Sequence, residues 1–331
     1  MRFLIIQTAF IGDVVLATPI VEKLRRFFPE AEIDFLLRKG NERLLDNDPY
    51  IRRVWVWDKK KEKYRGLLRL ILALRQERYD WAVNCHRFPA SGLVTVFCGA
   101  RHTIGFQKNP LSRLFRQRVP HAFGTKDRPL HEVERNLSLI EHLTDKSFEM
   151  PRLYPTKEDT AKARTFVPVD GRYVCIAPTS VWHTKQFPAH KWLELIERLP
   201  QNCAVFLLGG PDDVEACEQI AQAVKRPNIQ NLAGRLSFLE SAALMRDAAM
   251  NYVNDSAPMH IASAVNAPTT AVFCSTVPIF GFTPLSERRV VVETDQHLTC
   301  RPCGLHGYRA CPQDHFACAE TIRADLFPIP A

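Results

Sequence analysis

The chain has 331 residues, 46% of them hydrophobic and 24% charged, with a formal charge of +8 at pH 7. That composition excludes wholesale disorder, and the length fits two domains of about 150 residues, each able to bury its own core. Residues 1–150 hold 27 Lys and Arg against 18 Asp and Glu, while residues 151–331 hold 17 against 18, so the first half alone is basic and calls for an anionic partner: nucleic acid, a phosphorylated substrate or an acidic membrane surface. From the N-terminus, Arg2–Ile6 reads as a short buried strand. It is too short for a secretory leader, and no stretch approaches the ~18 apolar residues of a membrane helix, so a soluble, cytoplasmic protein is expected. A small loop, Thr8 to Asp13, leads into a helical pattern from Val14 that ends before Pro29. Residues 33–37 and Ile51–Trp57 read as strands, 64–77 as an amphipathic helix carrying Arg65, Arg69 and Arg75, and 81–85 as strand.

Residues 131–143 read as one helix, and the stretch 146–170, with Pro151, Pro155 and Pro168, contains the linker. Alternation then resumes. Strands are predicted at Tyr173–Ala177, 203–208, 251–253 and 269–274, and helices at 190–198, 214–224, 239–247 and 260–265. Strand and helix alternating at this spacing predict doubly wound parallel sheets, in two Rossmann-like domains at 1–150 and 151–331. Ligands sit at the carboxyl ends of the strands in such folds, so the loops there carry the functional information.

Neither the dinucleotide fingerprint G-x-G-x-x-G nor the P-loop occurs in the chain, which argues against an oxidoreductase or an NTPase. Three loops are informative. Gly12-Asp13 follows the first strand, and Asp13 reads either as a helix N-cap or as a general base. The loop from Ala177 to Pro188 holds Ser180 and Lys185 and reads either as a phosphate cradle or as a plain connector. The third runs Asn254-Asp255-Ser256-Ala257-Pro258-Met259-His260 from strand to helix. Small residues there would admit a diphosphate to a helix N-terminus, and Asp255 would orient backbone amides or bond a sugar hydroxyl. The plain alternative is a capped helix with His260 facing solvent.

Taken in order, these loops resemble the ADP-heptose:lipopolysaccharide heptosyltransferases, glycosyltransferase family 9. The resemblance rests on Gly12-Asp13-Val14-Val15-Leu16-Ala17-Thr18-Pro19, Leu24-Arg25-Arg26-Phe27-Phe28-Pro29, Ala177-Pro178 through Lys185-x-Phe187-Pro188, Leu207-Leu208-Gly209-Gly210-Pro211, Asn231-Leu232-Ala233-Gly234 and Asn254-Asp255-Ser256 through His260. It spans nearly the whole chain. It implies a GT-B fold, with an acceptor domain and a nucleotide-sugar domain facing across a cleft. The implied reaction is inverting transfer of a heptose from ADP-heptose to a lipid-anchored inner core of lipopolysaccharide, at the cytoplasmic face of the inner membrane. Asp13 matches that family's catalytic base and Lys185 its diphosphate-contacting lysine. Asp255, Ser256, Ala257 and His260 match its nucleotide-sugar loop, and Ser180 falls in the phosphate loop.

The chain is read as having no D-x-D triplet to hold a metal on a diphosphate, so a mechanism without metal or other cofactor is expected. The basic half is assigned to the acceptor and an anionic membrane surface, with Lys59, Lys60, Lys61 and Lys63 as contacts; the plain alternative for that run is a solvated loop. Transfer from another nucleotide sugar, or to another acceptor, stays open. A nucleic-acid-binding role ranks below both, because no recognition motif accompanies the charge. Of ten cysteines, six are scattered singly through apolar stretches. Cys300, Cys303, Cys311 and Cys318 cluster, with His306 and His315 between them, at spacings open to structural zinc, reduced thiols or partial disulfides.

Overall fold

The computed structural model describes all residues except 62, 63, 126, 169, 170 and 331. The chain divides into two compact units, Met1–Tyr154 and Pro155–Ala331. In unit 1 the strands are Arg2–Ile6 (β1), Glu32–Arg38 (β2), Ile51–Trp57 (β3), Trp81–Asn84 (β4), His102–Phe106 (β5) and Gln117–Val119 (β6). Its helices are Ile11–Val15 (α1), Thr18–Phe27 (α2), Arg65–Gln76 (α3), Pro89–Phe97 (α4) and Glu132–Ser138 (α5). All strand pairs are parallel, in the order β3-β2-β1-β4-β5-β6. The central strand β1 is apolar on both faces, with Ile5 opposite Phe35 on one side and Val83 on the other. A strand covered by helices on both faces has no polar side to show, which is why it reads as a continuous hydrophobic run.

Unit 2 repeats the plan. Lys157–Arg164 (α6) precedes Tyr173–Ala177 (β7), followed by Ala189–Arg198 (α7), Ala204–Leu207 (β8), Val214–Ala223 (α8) and Ile229–Asn231 (β9). Phe238–Asp247 (α9), Met250–Asn254 (β10), Ala257–Ala264 (α10), Thr269–Phe273 (β11), Arg289–Glu293 (β12) and Ala317–Glu320 (α11) complete it. The order β12-β11-β10-β7-β8-β9 is again parallel throughout and is the same topology as unit 1. Each sheet therefore reverses its strand order between its first and fourth strands, β1/β4 and β7/β10. Trp192, Phe187, Tyr252 and Phe327 pack together beneath the unit 2 sheet, with Phe187 and Trp192 edge to face at 5.1 Å between centroids.

Two helices expected from the sequence are broken in the structure. The single helix expected from Val14 is broken at Leu16-Ala17 into α1 and α2. Pro19 cannot donate an amide to the Val15 carbonyl, and Thr18 Oγ1 supplies that bond instead at 2.8 Å. The expected helix at 131–143 is α5 followed by a separate 3-10 turn at Glu141–Leu143.

Unit 1 also contains a buried polar knot. Asp34 on β2 is fully buried and accepts from Arg52 Nε and Nη2 (2.9 and 2.7 Å), Trp55 Nε1 (3.0 Å) and the Tyr79 hydroxyl (2.5 Å). Removing Asp34 takes the acceptor from the buried Tyr79 hydroxyl and from Arg52 Nε, while Arg52 Nη2 keeps Glu77 and Trp55 Nε1 keeps the Tyr79 oxygen, a loss of about 1–3 kcal/mol. Asp34→Ala should lower the unit 1 thermal transition accordingly, and Asp34→Asn should lower it less, as read by calorimetry.

Candidate active site

In unit 1 the loops leaving β1 and β4 flank the reversal point. The β1 loop turns into α1 with Phe10 as N-cap, and Asp13 reaches back to accept the Phe10 amide at 3.1 Å. Asp13 is thus the return half of a cap rather than the N-cap itself, and no side chain among the described residues donates to its carboxylate. Burial raises its pKa from 3.8 to about 6, the Glu132 carboxylate adds to the rise, and the Phe10 amide and Arg87 oppose it. Glu132, at the start of α5, is buried and bonded to Arg135 Nε at 2.6 Å, with His121 Nε2 3.4 Å away. Burial works to raise the Glu132 pKa, but His121 and Arg135 outweigh it, so this carboxyl stays below its usual value. Asn136, one turn along α5, donates to the Leu16 carbonyl at 3.0 Å and fixes α5 against the end of α1.

Thr8 Oγ1 lies 3.0 Å from His86 Nδ1 and joins the β1 loop to the β4 loop. Burial, with Lys59 and Arg87, pushes the His86 pKa down to about 3, so its ring is neutral at physiological pH. Two aromatic rings border the same edge: Phe10 beneath the Arg38 guanidinium (4.6 Å) and Phe88 beside His86 (4.8 Å). Both are more than half exposed. Lys59 is not the solvated lysine that its run implied. Its Nζ donates to the Thr8 carbonyl at 2.6 Å and sits over the Trp57 ring, and burial, with Arg38, lowers its pKa to about 8. Lys60 and Lys61 are exposed, their amides held by Asp58. Lys63 lies outside the described residues.

In unit 2 the loops after β7, β10 and β11 converge. Lys185 Nζ pairs with Asp255 Oδ2 at 2.8 Å, and the Thr276 hydroxyl donates to the same oxygen at 2.6 Å. Both partners are largely buried, with side-chain exposures of 14% and 7%. Asp255 is therefore turned toward Lys185 and Thr276 rather than toward backbone amides. Asn254 stitches the loops from behind, accepting from the Phe187 amide at 2.9 Å. Ser180 contributes its carbonyl to Gln186 Nε2 at 2.6 Å. Ser256 is the extended N-cap of α10 with no side-chain cap bond, and Ala257 is the first helical residue, so the amides of that turn are approachable. His260 is buried, not solvent-facing, with its ring 6.3 Å from Phe282.

The C-terminal tail closes onto this site. Arg301 donates to the carbonyls of Phe273, Cys274 and Thr276 and to Glu293, pinning the tail to the end of β11. Gly307 takes a φ of +76°, and a Cβ there would meet Thr184 Oγ1 at 2.8 Å and Lys185 Cγ at 3.0 Å. Only glycine lets the tail pack this close to the lysine. All ten cysteines are free thiols. Cys300 Sγ lies 3.9 Å from His315 Nε2, but among the described residues no three His, Cys, Asp or Glu side chains are placed to hold a metal ion. The chain does contain one D-x-D triplet, Asp46-Asn47-Asp48 in unit 1, where Asp48 Oδ1 closes a turn by accepting the Tyr50 amide at 2.9 Å.

Thr8, His86, Glu132, Thr276 and Gly307 carry no motif of their own. Their roles arise from contacts across tens of residues, which local pattern cannot show.

Comparison with known proteins agrees with this architecture. The pattern of "Glycosyltransferase family 9 (heptosyltransferase)" matches residues 67–307. Lipopolysaccharide heptosyltransferase 3 of Escherichia coli (strain K12) is 30% identical over 284 residues, 81% of each chain. Among solved structures, E. coli ADP-heptose lps heptosyltransferase II has a TM-score of 0.76 at 23% identity, covering 96% of both chains. E. coli heptosyltransferase WaaC with ADP-2-deoxy-2-fluoro heptose has a TM-score of 0.71 at 19% identity, covering 89% of this chain and 93% of that one. Two parallel sheets of this order are the GT-B fold, shared with these solved structures. With that fold, the chain belongs to glycosyltransferase family 9, the heptosyltransferases.

The raised Asp13 pKa has a consequence for stability. The folded chain holds that proton more tightly than the unfolded chain, so the ionised group costs stability above pH 6; the cost fades as pH falls from about 6 toward 4. Asp13→Asn should therefore melt above the wild type at pH 7.5, with the gap closing by pH 4. Glu132→Gln should lower the Asp13 pKa from about 6 by removing the neighbouring negative charge, as read by carboxyl NMR titration.

Proposed function

We propose that this enzyme transfers a heptose, with inversion, from ADP-heptose to the inner core of lipopolysaccharide. Unit 1 takes the acceptor and unit 2 the nucleotide sugar. The observation that carries the reading is a matched pair of sites: a carboxylate with raised pKa at the reversal point of one sheet, and a largely buried lysine at that of the other. The named relative acts on lipopolysaccharide, and a structure of the same fold holds an ADP-heptose analogue, which supports both halves of the assignment.

In this mechanism the acceptor hydroxyl attacks the anomeric carbon from the side opposite the diphosphate. Asp13 accepts the hydroxyl proton as the new C–O bond forms and the bond to the diphosphate breaks. A positioned base contributes about 10²–10⁴-fold. ADP leaves with the electron pair of the broken bond. Lys185 has three N–H donors, of which Asp255 takes one, so the remainder can bond the phosphate oxygens. The amides at Ser256 and Ala257 and the start of α10 add positive potential at the same place. Asp255 holds the lysine in position, while Ser180 and His260 complete the donor loops. Arg38 and Lys59 offer positive charge to the phosphates and acidic sugars of the acceptor, and the exposed Lys60 and Lys61 to an anionic leaflet at the cytoplasmic face of the inner membrane.

Asp13→Asn should abolish turnover while leaving ADP-heptose binding intact by calorimetry; near-normal turnover would overturn the base assignment. Lys185→Ala should weaken donor binding and cost about 3–4 kcal/mol in the transfer barrier.

A further inference from the structure

Arg38 and Trp57 end the neighbouring strands β2 and β3, paired in register. Among the described residues the Arg38 guanidinium donates no hydrogen bond and forms no ion pair, and its Nε is buried without an acceptor. It lies instead on the Phe10 ring, 4.6 Å from the centroid, and the Phe10 amide is the one that Asp13 accepts at 3.1 Å. Phe10 therefore joins the arginine to the carboxylate at the reversal point. Asn41, just after β2, ties the two loops together by donating to the Ala9 carbonyl at 3.1 Å.

Arg38, Trp57 and Lys59 line a cleft of about 440 Å³. Trp57 is buried, and its Nε1 is a second donor without an acceptor. Lys59 gives one of its three N–H groups to the Thr8 carbonyl and holds its ammonium over the Trp57 ring. Among the described lining residues the one carboxylate, Asp58, is engaged by Lys39 Nζ at 3.0 Å and by the Lys60 and Lys61 amides. Glu42, on the loop after β2, accepts from the Gly40 amide. Glu62 and Lys63 lie outside the described residues, and no part of the site rests on them.

A cation–π contact alone would account for Arg38 on Phe10, but not for Trp57 Nε1 or for a second cation packed beside the first. Buried donors without acceptors, and like charges without a counter-ion, cost stability unless a ligand supplies the oxygens. A guanidinium held flat by a ring presents a fork that matches two oxygens sharing a negative charge, as in a phosphate or a carboxylate.

We propose that this cleft seats an oxyanion of the acceptor and that Arg38 is its specificity-determining residue. The guanidinium takes two oxygens of a phosphate or carboxylate on the acceptor, with Lys59 beside it, and so places a sugar hydroxyl at Asp13. The inference deepens the reading of unit 1 as the acceptor site and rests on it.

The test measures transfer from ADP-heptose by the full chain to a deacylated inner-core acceptor, to the same acceptor stripped of its phosphates, and to one with its carboxyls reduced. Loss of a charged two-oxygen contact costs about 10–100-fold, so Arg38→Gln should raise the acceptor KM by that factor. Its ADP-heptose affinity should match the wild type by calorimetry. Its fold should be intact by circular dichroism, because the side chain donates no hydrogen bond to the protein. Arg38→Lys should recover little, since an ammonium keeps the charge and loses the fork. For the wild type, one of the two treated acceptors should show the same rise in KM and so name the source of the oxyanion. Arg38→Gln should no longer distinguish that acceptor from the intact one. An unchanged KM in Arg38→Gln, or equal discrimination by variant and wild type, would overturn the proposal. A second measurement needs no transfer: inorganic phosphate or acetate should shift the Arg38 Nε and Trp57 Nε1 signals of the wild type together in heteronuclear NMR spectra. Signals that stay in place with both anions overturn the seat. Shifted signals with no transfer to any acceptor overturn the transferase reading and leave the seat standing.

Discussion

The ion pair between Lys185 and Asp255 is the constraint around which unit 2 is arranged. An isolated ammonium at this depth would be costly, and an isolated carboxylate equally so; each makes the other tenable. The pair also joins two loops that leave adjacent strands, β7 and β10, at the point where the sheet reverses order. Thr276, from the loop after β11, bonds the same carboxylate oxygen, and the tail closes over the lysine stem through Gly307. Three crossovers and the C-terminus therefore converge on one charge, which is held in place before any ligand arrives. A donor fixed in advance needs no reorganisation when negative charge develops on a leaving group.

Unit 1 sets a group of opposite charge at the same point of the same topology. At its reversal point the group on offer is a carboxylate, and its surroundings favour the protonated form. Burial and a second carboxylate, Glu132, raise the proton affinity of Asp13, while Arg135 and His121 keep Glu132 ionised. Two acids thus titrate differently because Arg135 and His121 lie directly on Glu132, whereas Arg87 acts on Asp13 only through space and is outweighed by burial and Glu132. The neutral His86 and the inward-turned Lys59 line the same edge, with Phe10 and Phe88 as apolar borders. Polar groups for orientation beside exposed rings suit a sugar, which has both hydroxyls and apolar C–H faces.

Much of this was legible in the residues, and for identifiable reasons. Apolar runs such as Arg2–Ile6 and Tyr173–Ala177 announce buried parallel strands because both faces are covered. The loops after them carry Asp13 and Lys185, since ligand chemistry sits at strand ends. Edge strands were harder: Gln117–Val119 and Ile229–Asn231 are three residues long and largely polar, so no periodicity marks them. The helix α6 lay inside a proline-bearing stretch that reads as linker, although its Thr156/Asp159 capping box is a local signal of a helix start. The break at Pro19 was equally visible in principle. Lys59, by contrast, sits in a run of lysines that reads as solvated; only the fold shows it turned onto the Thr8 carbonyl.

In the proposed reaction the two halves of the chain differ in charge because they meet different chemistry: a basic unit for an acidic acceptor, and a near-neutral one whose Lys185 meets a diphosphate. That account is tested most directly by incubating the purified enzyme with ADP-heptose and a panel of truncated lipopolysaccharide acceptors, read by mass spectrometry. It predicts the gain of one heptose on an inner-core acceptor, with stoichiometric release of ADP and no added metal. A gain of a different sugar from another nucleotide donor, with ADP-heptose inert, would contradict it.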